Sequence, residues 1–267
     1  MTSILPPTLT AERVAGLAIA ALHAEIDLTP KPGLVDRRGP GAHRDMSAAL
    51  LHNSADCLYL PLLECVRAGA DFAVGTALRA RIGVIGRTGE AVMLAITGGV
   101  NTHRGALWAL GLLSTAVGVG AASTAEILDT AARLARITDP AAPPPAPSHG
   151  AIARRRYGVT GALGQAQSGF PTVTEHGLPA LRAGGPTRAL LALMAHLDDT
   201  CLLHRGGPAG LKDVQRVARA VLAGTASFDD LDRLCTTRHL SPGGSGDLLA
   251  VTLFLDALDG GSTPCKP

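Results

Sequence analysis

The chain has 267 residues, 46% hydrophobic but only 3% aromatic, so a large core must be built from Ala, Leu and Val, which suits close-packed helices. A balance of 24 basic against 22 acidic side chains gives a net charge of +2, without the basic stripe that nucleic-acid binding shows. The cysteines at 57, 65, 201, 235 and 265 form no CxxC pair and leave an odd count, which fits a reducing, cytoplasmic setting better than a disulfide framework.

Residues 1–10 lack a basic region followed by an apolar run, so no signal peptide is expected. Thr10 then reads as the N-cap of a helix whose apolar face carries Val14, Leu17, Ala18, Ala21, Leu22 and Ile26. The loop that follows, Leu28-Thr29-Pro30-Lys31-Pro32-Gly33-Leu34-Val35-Asp36, continues to Gly41-Ala42-His43-Arg44-Asp45-Met46. Two prolines stiffen it and push Thr29 and Lys31 towards extended backbone, so it is a rigid, non-repetitive loop carrying charged groups. The apolar period resumes in a helix expected over 44–68, and further helices are expected at 76–96, 102–117, 124–137, 187–204, 210–223, 228–237 and 243–258.

Between Gly105 and Ala125 lie 21 residues without a charge, long enough to span a bilayer. Glycines at 105, 111, 118 and 120 and the hydroxyls at 114, 115, 123 and 124 argue instead for a buried helix, a glycine-rich turn and a second helix start, with Ser123 to Glu126 as a capping box. No membrane partner is expected. Pro140–Pro147 is the best candidate for a linker, but nothing divides the chain cleanly, so residues 1–267 read as a single domain. Arg154-Arg155-Arg156 reads as a solvated helix end, with a patch for a polyanionic small molecule as the alternative. Phe170–Thr174 has some β character but is short and flanked by Gly and Pro, so the fold class expected is all-α, with the site at loops and helix starts.

Three further segments carry chemistry. Thr97-Gly98-Gly99-Val100-Asn101-Thr102-His103-Arg104-Gly105 opens an apolar helix, Leu197-Asp198-Asp199-Thr200-Cys201-Leu202-Leu203-His204-Arg205 lies inside another, and Ser241-Pro242-Gly243-Gly244-Ser245-Gly246-Asp247 opens the last. Together with the Lys31 loop, and in that order over about residues 12 to 258, these segments resemble the triphosphoribosyl-dephospho-coenzyme A synthase family. The resemblance implies transfer of the triphosphoribosyl group of ATP to the 2′-hydroxyl of 3′-dephospho-CoA, with adenine leaving and an acyl-carrier-protein transferase consuming the product downstream. The segments 197–200 and 202–207 look more like the branch serving malonate decarboxylase than the one serving citrate lyase. A homo-oligomer is left open.

Such a site must hold a triphosphate, stabilise an oxocarbenium-like sugar and handle two protons. Ser241, Gly243, Gly244 and Ser245 offer a helix start with free N–H groups, and Gly98 and Gly99 a second such cradle, with Asn101 and His103 able to orient a hydroxyl or purine. One helix terminus contributes only about 0.3–2 kcal/mol towards an anion, so Lys31, Arg104 and Arg205 are expected as counter-charges together with Mg2+. Asp198 and Asp199 are the metal candidates; on a helix they would point about 100° apart, so one would bind Mg2+ while the other pairs with Arg205 or Lys31. Asp36, Asp45 and Asp247 are the candidates for general base, with Glu25 and Glu64 as more remote acids. Leu163, Gln165 and Gln167 stand where relatives carry charges, Cys201 where Asn is usual and Gly246 where Ala is usual. Two other functions remain beside the transferase: an all-α Mg-dependent N-ribosyl hydrolase and a non-catalytic nucleotide-binding subunit.

Overall fold

The computed structural model describes residues 9–143 and 148–260, so residues 1–8, Pro144–Pro147 of the proline-rich stretch and Cys265 lie outside it. Among the described residues the protein is all-α, and the nearest approach to a strand is a single bridge between Asp36 and Gly39. The helices are α1 (Ala11–Asp27), α2 (Ala48–Asp56), α3 (Tyr59–Asp71), α4 (Thr76–Ile96), α5 (Arg104–Gly118), α6 (Thr124–Arg136), α7 (His149–Tyr157), α8 (Gly161–Gln167), α9 (Leu178–His196), α10 (Thr200–Leu222), α11 (Phe228–Thr237) and α12 (Gly243–Leu258). Phe170–Thr174 is not extended: Phe170 takes a left-handed φ of 57°, and a π-helical turn over Val173–Gly177 leads into α9.

Helix α5, uncharged after Arg104, lies in the middle, packed on α1, α3, α4, α6 and α12. Its buried face is Ala, Leu, Ser and Thr from Ala106 to Ala116, and no helix among the described residues is long and apolar enough to cross a membrane. The approach of α3 to α5 depends on glycine: a Cβ at Gly69 would collide with the Thr115 carbonyl, and one at Gly118 with that of Val66. Helix α12 packs with α1 and α9, burying Leu248, Leu249, Leu253 and Phe254. Thr10, Ser47, Ser123 and Ser227 cap helix starts with their hydroxyls. At Ser123 the returning Glu126 carboxylate accepts from Ala122 N–H, one residue before the expected box position.

Three expected helices are divided differently. The helix expected over 44–68 breaks at Cys57–Leu58 because Pro61 has no N–H and would clash with the Cys57 carbonyl; the chain restarts so that Pro61 falls in the first turn of α3. The helix expected over 187–204 ends at His196, Leu197 is extended, and Asp199 caps a new helix, α10. Helix α9 starts nine residues before 187 and kinks at Gly184–Gly185, ahead of Pro186, while α10 runs through a kink at Gly207, ahead of Pro208, to include the helix expected at 210–223.

Candidate active site

The starts of α5, α10 and α12, the Lys31 loop and one face of α4 enclose a cavity of about 790 Å³. At its centre Asp199 ties two helix starts together. Its Oδ1 accepts from the N–H groups of Cys201 (2.9 Å) and Leu202 (3.4 Å), and its Oδ2 from the N–H (2.9 Å) and hydroxyl (3.0 Å) of Ser245. Burial pushes this carboxyl above its usual range while the four donors pull the other way. The cradle expected at Gly243, Gly244 and Ser245 is thus partly filled by the protein's own carboxylate. The Cys201 sulfur lies against Gly243 and takes the Gly244 N–H.

Asp247 sits in the second turn of α12 and turns towards the start of α5, where a Cβ at Gly105 would collide with its carboxylate. Burial, with Asp199 and Glu25 close by, raises its pKa well above the usual carboxylate value, against a hydrogen bond from the Ala106 N–H. Glu25 also fixes Lys31, which is only 1% exposed: the ammonium donates to the Glu25 carbonyl at 2.7 Å and to its Oε1 at 2.9 Å. Gly246 makes room for this pair, since a Cβ there would come within 3.2 Å of Glu25 Oε1. His103 is buried beside them, with Nδ1 2.9 Å from Ser54 Oγ, and burial lowers its pKa to about 4. Three carboxyls, one ammonium and a neutral imidazole therefore border the same side of the cavity, most of them buried.

At the opposite rim, His43 Nε2 lies 2.7 Å from Ser241 Oγ and its Nδ1 3.3 Å from the Arg205 guanidinium. Arg205 also donates to the carbonyls of Ala42 and His239, so it pins the loop while facing the cavity. Asp45 stands exposed at this rim, 3.8 Å from His43.

The cavity brings together Lys31, Asp45, Asn101, His103, Arg104, Asp198, Asp199, Arg205, Ser241, Gly243, Gly244 and Asp247 from segments scattered along the chain. Four expected residues do not line it. Asp36 is buried in its own loop, accepting from the Lys31 N–H and from the Arg38 N–H and guanidinium; burial pushes its carboxyl up, but these donors outweigh that and hold it below the usual range. Gly98 and Gly99 take left-handed φ values of 63° and 89° and end α4, with the Gly99 N–H on the Leu94 carbonyl. Ser245 faces Asp199. Nor do Asp198 and Asp199 share a helix as expected: Asp199 is the buried cap and Asp198, one residue earlier, is exposed at the cavity. Among the described residues no group of three or more His, Cys, Asp or Glu is placed to hold a metal ion. Asn101 caps the start of α5 through Arg104 N–H, and Arg104 pairs with Glu90.

Glu25, expected as a more remote acid, lines the cavity. The signal was available, because position 25 continues the apolar stripe of α1 next to Leu22 and Ile26, where a carboxylate needs a partner. Gln165 and Gln167 have structural partners here: Gln165 clasps Thr172 by both its amide groups and Gln167 donates to the Ala135 carbonyl.

Comparison with known proteins comes to the same place. The family described as ATP:dephospho-CoA triphosphoribosyl transferase (CitG) matches residues 11–265. A protein of Stutzerimonas stutzeri (strain A1501) named probable 2-(5''-triphosphoribosyl)-3'-dephosphocoenzyme-A synthase is 52% identical, over 93% of this chain and 92% of its own length. A protein of the same name from Azotobacter vinelandii is 50% identical over 96% of this chain and 94% of its own, and one from Pseudomonas putida 50% identical over 92% and 94%. No solved structure matches the chain significantly.

Proposed function

The chain belongs to the triphosphoribosyl-dephospho-CoA synthase family, and we propose that it transfers the triphosphoribosyl group of ATP to the ribose 2′-hydroxyl of 3′-dephospho-CoA, releasing adenine, to make the prosthetic-group precursor for malonate decarboxylase rather than for citrate lyase. The lean to malonate decarboxylase rests on segments 197–200 and 202–207. The observation that carries the chemistry is the Asp247 carboxyl, held between Asp199 and Glu25 where α5 begins.

In this reading the 2′-oxygen attacks the anomeric carbon as the bond to adenine breaks, and the sugar passes through an oxocarbenium-like state. The carboxyl oxygens of Glu25, Asp199 and Asp247 border the cavity where that cation would form. Asp247, its pKa raised by burial and by the neighbouring Asp199 and Glu25, takes the proton of the hydroxyl late in the attack when it enters the reaction ionised. Lys31 fixes the Glu25 carboxylate, and His103, neutral at working pH, can donate to or accept from a ribose hydroxyl or a purine nitrogen. Asp36 holds the loop, and Asp45 stands at the mouth.

The residues present do not fit a metal held by the protein alone. Asp199 has its oxygens filled, which leaves Asp198 as the single open carboxylate of the pair. Mg2+ belongs in this proposal as the counter-ion of ATP, bound mainly by phosphates and water, as is usual for this ion.

The test is product analysis. Incubation with ATP, Mg2+ and dephospho-CoA should release adenine in step with the formation of a triphosphoribosyl conjugate. Adenine release that does not need the acceptor would make the protein an N-ribosyl hydrolase, and binding without adenine release a nucleotide-binding subunit. Offering the loaded product to the acyl carrier proteins of malonate decarboxylase and of citrate lyase, each with its transferase, separates the two branches.

A further inference from the structure

One wall of the cavity, apart from Arg104, lies outside the motifs read from the sequence. Helix α4 turns Arg79, Gly83, Arg87 and Glu90 towards α5, and the cavity reaches along this face. Asp139, arriving after α6, takes Arg87 at 2.6 Å and Arg79 at 3.6 Å. It fits only because residue 83 is glycine, whose Cβ would collide with its carboxylate. The Arg79 guanidinium lies over the Trp108 ring, 5.3 Å from its centre, and Glu90 holds Arg104. These side chains are fixed from behind, yet three of their donors have no acceptor: Arg79 Nε, Arg104 Nε and Trp108 Nε1 are buried without a hydrogen-bond partner. Among the described residues the only other such side-chain atom is Ser114 Oγ, so the deficit is concentrated on this wall.

Buried donors without acceptors call for an anion or a strong acceptor to complete the site. Elsewhere in the cavity Lys31 is already spent on Glu25, and Arg205 at the opposite rim is engaged by the Ala42 and His239 carbonyls and by His43. The donors without acceptors are thus gathered along α4–α5, while Asp199 and Asp247 lie at the starts of α10 and α12. The two meet at Arg104–Gly105, against which Asp247 lies.

We propose that Arg79, Arg104 and the indole N–H of Trp108 form the subsite for a polyphosphate chain, specifically the triphosphate of ATP, with Asp139 and Glu90 as the residues that position the guanidiniums. This rests on the transferase reading above and adds to it: the triphosphate lies along α4–α5, and the ribose comes to Asp247. Polyphosphate is also present in the diphosphate of dephospho-CoA, so the test must separate the two sources.

Trp108 is the only tryptophan in the chain, so its emission reports on this wall directly. Inorganic tripolyphosphate, titrated into the full-length protein, should change that emission saturably and be displaced by ATP but not by dephospho-CoA. By calorimetry Arg79→Gln should weaken tripolyphosphate binding about 10- to 150-fold, the range for losing a charge-assisted contact. Trp108→Phe, which keeps the ring and removes the donor, should weaken it by a smaller factor with an unchanged melting temperature, and this covers the case in which Arg79→Gln fails to fold. Unchanged emission, displacement by dephospho-CoA alone, or wild-type binding in both variants would overturn the assignment. Adenine release is followed separately on the same preparations: tripolyphosphate binding without adenine release would count against the reaction and leave the subsite standing.

Discussion

Replacing Asp247 by Asn should make the protein more stable and nearly inactive at once. The wild-type carboxyl is raised well above its ordinary value by burial and by Asp199 and Glu25, so over a pH window opening near 4 the folded state holds a proton that the unfolded chain has lost. Stability therefore falls as pH rises through that window, by about 1.4 kcal/mol for each pH unit the window spans. Asn has the same shape and still offers an oxygen to the Ala106 N–H, but carries no charge to desolvate. For a chain of this size each kcal/mol is worth about 2–4 °C, so Asp247→Asn should melt measurably above wild type at pH 7.5. The gain should shrink to nothing near pH 4. Adenine release should fall at least about 100-fold, the lower end for a general acid–base group. Scanning calorimetry at several pH values with a chromatographic adenine assay decides it. A variant that melts lower at pH 7.5, or keeps most of its turnover, would show that Asp247 is an ordinary helix-start charge, and the base would then be sought at Asp45 or Glu25.

Two other predictions come from the same cluster. His103, with a pKa of about 4, should show no imidazole titration by NMR between pH 5.5 and 8, and since the unfolded chain takes up its proton first, it should cost about 1.4 kcal/mol of stability per pH unit as pH falls from about 6.5 to about 4; a midpoint near 6.5 would refute the burial argument. Lys31→Met leaves Glu25 buried and unpaired and should destabilise the protein by about 3–5 kcal/mol in denaturant unfolding, whereas the double variant Glu25→Leu, Lys31→Met should recover most of that; equal losses in both would mean that the pair is not coupled.

Three helices could be read from the sequence to the residue: 76–96, 228–237 and 243–258 are the bounds of α4, α11 and α12. Of α7 only the end was legible, Arg154–Arg156 forming its solvated last turn, and α8, made of Gly, Ala and Gln, showed no apolar stripe; the two helices form by packing on α10 and α6. The break at residues 197–199 was missed for a different reason. Leu197 and Leu202 keep the apolar pattern running through it, and only the capping use of Asp199 reveals the new start, which depends on Ser245 being 46 residues away in sequence and hydrogen-bonded in space.

The same contrast explains what could be read of the site. Groups in loops between Gly and Pro announce themselves, and most of them do line the cavity, because rigid, irregular backbone is where polar side chains can be aimed without breaking a helix face. The α4–α5 wall is built otherwise. Arg79, Arg87 and Glu90 are spaced like any solvated stripe on a helix, and Trp108 like any core residue, so periodicity assigns each an ordinary role. What distinguishes them is glycine at 83, which admits Asp139, and the burial that leaves Arg79 Nε, Arg104 Nε and Trp108 Nε1 without acceptors. Neither is a local property of the sequence. Both arise only when α4, α5 and the chain after α6 are packed together, and so a cavity can be assembled from segments of which only half look functional on their own.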